Sequence, residues 1–307
     1  MSGAPVSAVR ARFGGRVVIA AARRSAPNAY VARLTLPAAG VWRVVALTER
    51  TERPLARVRV LSSYPLALPA QVLADEGSLL VVERLGRDRV LGVDLATGRL
   101  AVLTRAVPAP WGLARAADGG VLVSGASGIY SLRGGRIASV RASPITAGDG
   151  DDVYFANENE VGRVHAGAVS LLTTDVDAPH GLFVDADGAV VVSDSGHGRV
   201  IRVDPSTGAV RVVAAGLEQG LGAIDDGAGG ALVVEFGAGR LVHLRPDGTM
   251  SIVTEELRKP YALARAADGS IYVVEDGELD RPSGGLARVA ADSSVTRLRL
   301  VPGWPAT

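Results

Sequence analysis

The stretch that decides the fold is residues 177–217, which read DAPHGLFVDADGAVVVSDSGHGRVIRVDPSTGAVRVVAAGL. Apolar residues alternate with a period of two in four runs, Gly181–Asp185, Ala189–Ser193, Arg199–Asp204 and Val210–Ala214. Asp-Gly, Ser-Gly and Thr-Gly pairs stand between these runs and supply the chemistry of tight turns. The stretch therefore predicts an antiparallel sheet of four strands.

The same phrase recurs along the chain. The ends of the second strands align at six positions, spaced like propeller blades of about 40–45 residues, and these are Glu83, Gly125, Asn157, Asp194, Glu235 and Glu275. A four-stranded unit cannot bury both faces alone, so the copies must stack, and closure into a ring leaves only short edges. We predict an all-β chain in which residues 63–307 form a six-bladed β-propeller of four-stranded blades. The predicted blades are residues 68–107, 108–142, 143–176, 177–217, 218–257 and 258–301.

Residues 191–200, VVSDSGHGRV, preceded by Pro179-His180-Gly181-Leu182, resemble an NHL-type repeat. The wider group to which this repeat is similar includes the gluconolactonase-like propellers, virginiamycin B lyase and the peptide-amidating lyases. The resemblance specifies architecture well and chemistry poorly, because these propellers share a scaffold while their sites differ.

Residues 1–62 do not match the repeat. They resemble the last strands of an immunoglobulin-like sandwich, shorter than the usual length of about 100 residues, so we expect a small or truncated β-sandwich segment. The turn of this segment is predicted at Arg50–Pro54, and its strands at Val17–Ala21, Tyr30–Leu36, Val41–Leu47 and Ala56–Ser62.

Closure of the ring has two possible solutions in the sequence. Val58–Leu61 could join the last blade as a closing strand. The sixth repeat also has a fourth strand of its own at Val295–Leu300, which would leave closure to packing. The residues do not choose between them.

Composition excludes several classes of function. The net charge is +1 with both signs interspersed, which disfavours nucleic acid and anionic membranes as partners. The absence of cysteine excludes disulfides, thiolate metal sites and cysteine nucleophiles. No apolar run approaches the roughly 20 residues of a membrane span, and the first residues lack the apolar core of a signal peptide. We expect a monomer, cytoplasmic as the chain stands and extracytoplasmic if it is a fragment of a longer one.

The resemblance implies that the first strands lie innermost and begin at the mouth of the central channel. The residues that open these strands are Ala70, Trp111, Ile145, His180, Leu221 and Tyr261. Trp111, His180 and Tyr261 are the expected ligand-binding residues, and His180 is also the candidate catalytic base. The alternative is that Trp111 and Tyr261 only fill the channel and that His180 has a structural role.

Metal sites of the related enzymes have no clear counterpart. The gluconolactonase-like enzymes hold a divalent cation such as calcium with Asn and Asp oxygens in this phrase, where the chain has Trp111, His180 and Tyr261. A zinc site like that of the amidating lyases needs three ligands, and His180 is the one histidine at such a position. We therefore predict no cofactor and no metal site. The alternating acids of the insertion could still hold calcium, although a solvated loop is favoured, and these are Asp276, Glu278 and Asp280.

Carboxylates occupy four of the six aligned strand ends, and the pattern permits two interpretations. They could form an acidic ring that faces a ligand, with Glu235 and Glu275 as further ligand-binding candidates. Alternatively, each pairs with an arginine that follows it, and the pairs are Glu83 with Arg89, Asp194 with Arg199, Glu235 with Arg240 and Glu275 with Arg288. Asn157 is likewise followed by Arg163, and the second blade has neither the carboxylate nor the arginine. Because the two residue types are present or absent together, the pattern favours ion pairs over an acidic ring.

Two functions remain open on this sequence. The first is a non-catalytic NHL-like propeller that binds a small ligand, a peptide or a protein at its channel mouth. The second is a lactonase-like or lyase-like enzyme that uses His180 and nearby carboxylates. The sequence does not identify the ligand or substrate.

Overall fold

The computed structural model describes residues 6–13, 16–26, 29–32, 40–48, 51–60, 66–84, 87–276 and 284–302. Every regular element in these ranges is a β-strand, so the prediction of an all-β chain is confirmed. By its internal contacts the chain divides into two compact units, Met1–Pro65 and Leu66–Thr307. None of the described segments is a helix of the length and hydropathy that crossing a membrane requires.

The strands of the first unit are β1 (Ala8–Phe13), β2 (Arg16–Ala21), β3 (Arg23–Ala26), β4 (Ala29–Val31), β5 (Gly40–Leu47) and β6 (Glu52–Val60). Four of them form an antiparallel sheet in the order β2-β1-β5-β6, and β3 pairs with β4. The predicted turn at Arg50–Pro54 is wrong from Glu52 onward, because Arg53 and Pro54 pair with β5. An edge strand such as β6 tolerates a proline, whose missing N–H costs no ladder bond. The immunoglobulin-like assignment stays a prediction.

Within its described residues, the second unit consists of six sheets, antiparallel apart from the pairing of the terminal strand in sheet one, and we number them sheets one to six in chain order. Sheet one contains β7 (Pro69–Asp75), β8 (Ser78–Glu83), β9 (Arg89–Asp94), β10 (Arg99–Thr104) and the terminal β31 (Val301–Pro302). Sheet two contains β11 (Pro110–Arg115), β12 (Val121–Gly125), β13 (Gly128–Ser131) and β14 (Arg136–Ala138). Sheet three contains β15 (Ile145–Ala147), β16 (Val153–Ala156), β17 (Val161–His165) and β18 (Ala168–Thr173).

The remaining sheets repeat the same order. Sheet four contains β19 (Pro179–Val184), β20 (Val190–Asp194), β21 (Arg199–Val203) and β22 (Val210–Ala215). Sheet five contains β23 (Gly220–Asp225), β24 (Ala231–Glu235), β25 (Arg240–Leu244) and β26 (Met250–Thr254). Sheet six contains β27 (Pro260–Arg265), β28 (Ile271–Glu275), β29 (Gly285–Val289) and β30 (Val295–Arg297).

Sheet four shows why this sequence forms stacked sheets. All five residues of β20 are buried, because both faces of an inner strand lie against neighbouring sheets. The fourth strand, β22, is largely exposed and closes the sheet on its outer side. Gly188 and Gly208 take positive φ in the turns that the sequence predicts, a conformation in which a side chain would be strained.

A glycine in the repeated phrase lets the first strands come close to one another. A Cβ on Gly181 would lie 2.5 Å from the Ala223 nitrogen, and one on Gly112 would lie 2.4 Å from the Ser143 oxygen. Hydroxyl groups reinforce the same contact, since Ser193 Oγ donates to Gly220 O at 2.9 Å. Close packing of adjacent first strands therefore requires the glycine of the repeated phrase.

First strands of consecutive sheets contact one another in turn, and β27 of sheet six contacts β7 of sheet one. One apolar cluster spans these two sheets, with Val72 and Leu91 from sheet one and Val274 and Leu286 from sheet six. The arrangement is a β-propeller.

Hydrogen bonds between the two ends of the second unit close the ring. β31 pairs in parallel with β10, with Arg99 opposite Val301, and Leu66 forms a β-bridge with Gly284. Residues 58–60 belong to β6 and pair with β5, so they do not supply the closing strand. The fourth strand of the sixth repeat is shorter than predicted and ends at Arg297, which frees the following residues to reach sheet one.

Candidate ligand-binding site

The six residues that open the first strands fall into two groups. Three are partly exposed, namely Trp111, His180 and Tyr261. Three others are buried in the apolar interior, and these are Ala70, Ile145 and Leu221. The repeat therefore gives all six the same backbone position, while residue type decides which of them meet solvent.

The three partly exposed residues gather at one end of the propeller. The His180 and Tyr261 rings meet edge to face with centroids 5.8 Å apart, and Phe236 approaches Tyr261 in the same way at 6.4 Å. Trp111 joins them through Arg84, whose guanidinium carbon lies 3.6 Å from the Trp111 ring centroid and 5.5 Å from that of Tyr261. We call these five residues the mouth.

Arg84 is the mouth residue that sequence reasoning missed. Its Nη2 donates to the Tyr261 hydroxyl at 3.4 Å, while its buried Nε has no hydrogen-bond partner among the described residues. Arg84 directly follows Glu83, at the same offset at which Phe236 follows Glu235. Attention to the residue after each aligned carboxylate would have found both.

The chain enters five of the six sheets through a strained residue. The residue before the first strand has a left-handed φ without being glycine, at Leu68 (46°), Ala109 (43°), Ala178 (47°), Gln219 (54°) and Lys259 (45°). Such a conformation is costly and persists where the surroundings hold it. At Ala178 it turns the carbonyl toward the His180 ring.

That contact fixes the tautomer of His180. Nδ1 lies 2.7 Å from the Ala178 carbonyl oxygen, which can only accept, so Nδ1 carries the proton and Nε2 of the neutral ring carries the lone pair. Burial lowers the pKa of His180 below its ordinary value of 6.5, the hydrogen bond to Ala178 opposes that shift, and the positive charge of Arg84 adds to it. Burial also raises the pKa of Tyr261, so both rings are neutral at pH 7.

The aligned carboxylates lie beneath the mouth, each at most 5% exposed. Each accepts a hydrogen bond from a backbone N–H of the segment that enters its own sheet. The donors are Ala67 to Glu83 (2.5 Å), Asp177 to Asp194 (2.8 Å), Glu218 to Glu235 (2.7 Å) and Arg258 to Glu275 (2.8 Å). Two of these segments continue directly into His180 and Tyr261, so the carboxylates hold the backbone that carries the mouth.

Three of the four predicted ion pairs are confirmed. Glu83 pairs with Arg89 and Glu235 pairs with Arg240 through the Nε atoms of the arginines. Asp194 Oδ2 accepts from Arg199 Nε at 2.7 Å. The hydrogen bond to Glu235 raises the pKa of Arg240, as expected for a cation held by a buried anion. These contacts favour the structural interpretation of the carboxylates over an acidic ring.

The fourth predicted pair is wrong. Glu275 accepts two hydrogen bonds of 2.9 Å from Arg297 on β30, whereas Arg288 bonds Ser270 and Asp268 at the other end of the sheet. The insertion after Asp276 places Gly285 opposite Glu275, so no third-strand arginine stands at the required register.

Sheet three and the histidines away from the mouth also contact acidic residues. Asn157 Nδ2 donates to Glu160, and Arg163 pairs with Asp152, so these two residues do not pair with each other. The histidines away from the mouth each contact an acid, with His165 on Asp152, His197 on Asp194 and His243 on Asp226.

The mouth does not fit the divalent cation that the gluconolactonase resemblance implies. Such a cation needs several oxygen ligands, and the equivalent positions hold two aromatic rings and an imidazole beside the Arg84 guanidinium. Among the residues that the structure describes, no group of three or more histidines and acids lies close enough to share an ion. Of the three acids of the insertion, Asp276 is described, while the candidate ligands Glu278 and Asp280 lie outside the described residues.

Solved structures similar to this chain are β-propeller proteins. A gluconolactonase from Xanthomonas campestris is 16% identical with a TM-score of 0.60, over 74% of this chain and 88% of that one. Virginiamycin B lyase from Staphylococcus aureus is 14% identical with a TM-score of 0.58, over 76% of this chain and 85% of that one. An auxiliary nutrient binding protein from Bacteroides thetaiotaomicron is 9% identical with a TM-score of 0.54, over 92% of each chain.

No protein-family model and no curated protein sequence matches the chain. At sequence identities this low, the structural similarity establishes the fold alone. The resemblance to the gluconolactonase-like and virginiamycin B lyase propellers is therefore one of architecture.

Proposed function

We propose that the second unit is a six-bladed propeller of the NHL and gluconolactonase-like type that binds a small molecule, a peptide or a protein segment at the mouth, without catalysis. The ligand carries an anionic group beside an apolar part. The observation that carries this proposal is Arg84, a guanidinium stacked on Trp111 whose buried Nε has no partner among the described residues.

The chemistry of Arg84 fits an anion. A guanidinium presents its donors in a fixed fork that matches a carboxylate or phosphate, and hydrogen bonds to charged groups are the strong ones. Stacking on Trp111 holds the fork in place, and Tyr261 adds a hydroxyl at its edge. The rings of Trp111, Tyr261 and Phe236 form a partly apolar wall, as in typical small-molecule sites.

The state of the carboxylates supports binding without catalysis. Glu235 and Glu275 are buried and hydrogen-bonded to the segments that enter their own sheets, so we assign them a structural role. A general base must be free to accept a proton from a substrate within hydrogen-bond reach. Neither carboxylate meets that condition.

A thermal-shift screen tests the proposal. We expect hits among carboxylates or phosphates with an apolar body and none among their neutral amides, and Arg84→Met, which keeps the stem and removes the charge, should weaken the hits by about tenfold or more. The exposed Arg133→Met is the matched control and should leave them unchanged. Hits that survive both Arg84→Met and Tyr261→Phe would place the site elsewhere.

One observation favours the enzymatic alternative. The His180 tautomer leaves a lone pair on Nε2 at neutral pH, which is the state that a general base requires. Hydrolysis or elimination of a lactone substrate by the purified protein, abolished by His180→Asn and retained in Arg133→Met, would establish this second function.

A further inference from the structure

A cavity lies at the end of sheets four and five that is opposite the mouth. It has a volume of about 250 Å³. Phe183 and Asp185 line it near the end of the strand that His180 opens. The cavity is therefore separated from the mouth by the length of the first strand.

The wall that sheet four gives to this cavity ends in two arginines. Phe183, Val191, Arg202 and Arg211 lie directly opposite one another on the four strands, so they share one face of the sheet. The inner part of that face packs on sheet five through Phe183, Val191 and Leu244. The outer part places Arg202 beside Arg211, and like charges directly opposite each other are destabilising.

Other sheets avoid this arrangement at the same register. The residue equivalent to Arg211 is small or carries a hydroxyl, in the pairs Gly92 with Ala101, Arg163 with Ser170, His243 with Ser251 and Arg288 with Thr296.

The position equivalent to Arg202 has a structural use in several sheets. Arg202 bonds Asp185 at 2.6 Å and Asp187 at 2.9 Å, as Arg288 bonds Asp268. Arg211 is the additional cation of sheet four, and although its backbone pairs with Arg202, its side chain forms no hydrogen bond or ion pair with any described residue.

Two more features of this cavity favour an anionic ligand. Arg202 Nε is buried without a hydrogen-bond partner among the described residues. Arg245 lines the same cavity from sheet five, beside an apolar floor that includes Phe183, Val200 and Leu244. Arg202, Arg211 and Arg245 line the cavity together with two aspartates. Asp185 and Asp187 pair with Arg202, and Asp247 lies near Arg245, so Arg211 is the arginine of the cavity that faces no acid among the described residues.

We propose that this cavity, which we call the interblade cleft, binds a small organic anion with a flat apolar body. Its carboxylate group lies between Arg211 and Arg245, and its apolar part lies against the partly buried Val213 at the floor of the cleft. Such a ligand relieves the repulsion between Arg202 and Arg211 and covers apolar surface in the same step. The cleft acts independently of the mouth.

Calorimetric titration with benzoate tests the proposal, with neutral benzamide as the matched ligand. The titration uses both the unaltered chain and Arg84→Met, so that binding at the mouth is separated from binding at the cleft. We expect benzoate to bind Arg84→Met protein, and Arg211→Ser, which installs the serine that sheets three and five hold there, to weaken it by about tenfold or more. Arg136→Ser, an exposed fourth-strand arginine outside the cleft, should leave binding unchanged.

Stability without ligand provides a second measurement. Arg211→Ser should unfold at the same temperature or higher, because it removes one of two opposed charges, so weaker binding cannot be ascribed to misfolding. Equal affinity for benzamide, unchanged benzoate affinity in Arg211→Ser, no binding to either protein, or loss of all binding with Arg84→Met would each overturn the proposal.

Discussion

The two ends of the propeller sheets carry the same kind of contact, an arginine with a carboxylate, in opposite surroundings. At the mouth end Glu235 is 1% exposed and its contact with Arg240 is shielded from water. At the other end Asp187 is 82% exposed and Asp268 58%. Burial, and not the pairing itself, determines what each contact contributes, because water screens an exposed pair while a buried charge depends on its partner.

The largest effect on the free energy of unfolding is expected where a buried carboxylate loses the arginine with which it pairs. Arg240→Ala leaves Glu235 with the Glu218 N–H as its remaining described donor, and an uncompensated buried charge costs roughly 3–5 kcal/mol. Chemical denaturation should show this loss in the free energy of unfolding.

Glu235→Ala completes the comparison. It should also lower stability, through the orphaned Glu218 N–H, while leaving ligand affinity at the mouth unchanged once the protein is folded. Loss of ligand binding in Glu235→Ala at full stability would instead make Glu235 a ligand contact.

Sheet six has one arginine–carboxylate contact at each of its two ends, so the buried and the exposed contact can be compared within one sheet. Arg297→Ala removes two hydrogen bonds from the buried Glu275, whereas Arg288→Ala removes contacts to the exposed Asp268 and to Ser270. We therefore expect Arg297→Ala to lower the melting temperature clearly and Arg288→Ala to lower it much less. Equal losses, or the reverse order, would show that exposure does not govern the two contacts.

The sequence predicted the repeats and most pairs because both depend on local register. Glu235 and Arg240 lie opposite each other across one tight turn, and the spacing of the repeat shows this directly. Arg297 escaped prediction because the partner of Glu275 comes from a fourth strand beyond an insertion.

The assembly of the mouth could not be predicted in the same way. Arg84 meets Trp111 and Tyr261 across different sheets, and no periodicity within one repeat encodes contacts between sheets. The closure of the ring by β31 was not predicted for the same reason, since two residues near the end of the second unit pair with a strand of its first sheet. The alignment of the first strands predicted which positions lie at the same end of the propeller. It did not predict which of the side chains at that end touch one another.

The smallest effect on the free energy of unfolding is expected from the titration of His180. It bears on the same comparison of buried with exposed groups, because burial is again the cause. The pKa of His180 in the folded protein lies below 6.5, mainly through burial. Well above pH 6.5 neither the folded nor the unfolded chain holds this proton, so His180 adds no pH dependence there. As the pH falls below 6.5 the unfolded chain takes up the proton first, and the free energy of unfolding decreases until the pH passes the folded pKa.

His180→Asn should remove that component and leave the rest of the stability profile between pH 5 and 7.5 in place. Denaturation curves of both proteins across this range measure the difference, and an NMR titration of the His180 ring gives its pKa directly. An anionic ligand beside Arg84 should raise that pKa, because it offsets the positive charge that now disfavours protonation. A ring that titrates above 6.5 without ligand, or equal pH profiles in the two proteins, would show that the His180 ring is solvated and that burial does not extend to the mouth.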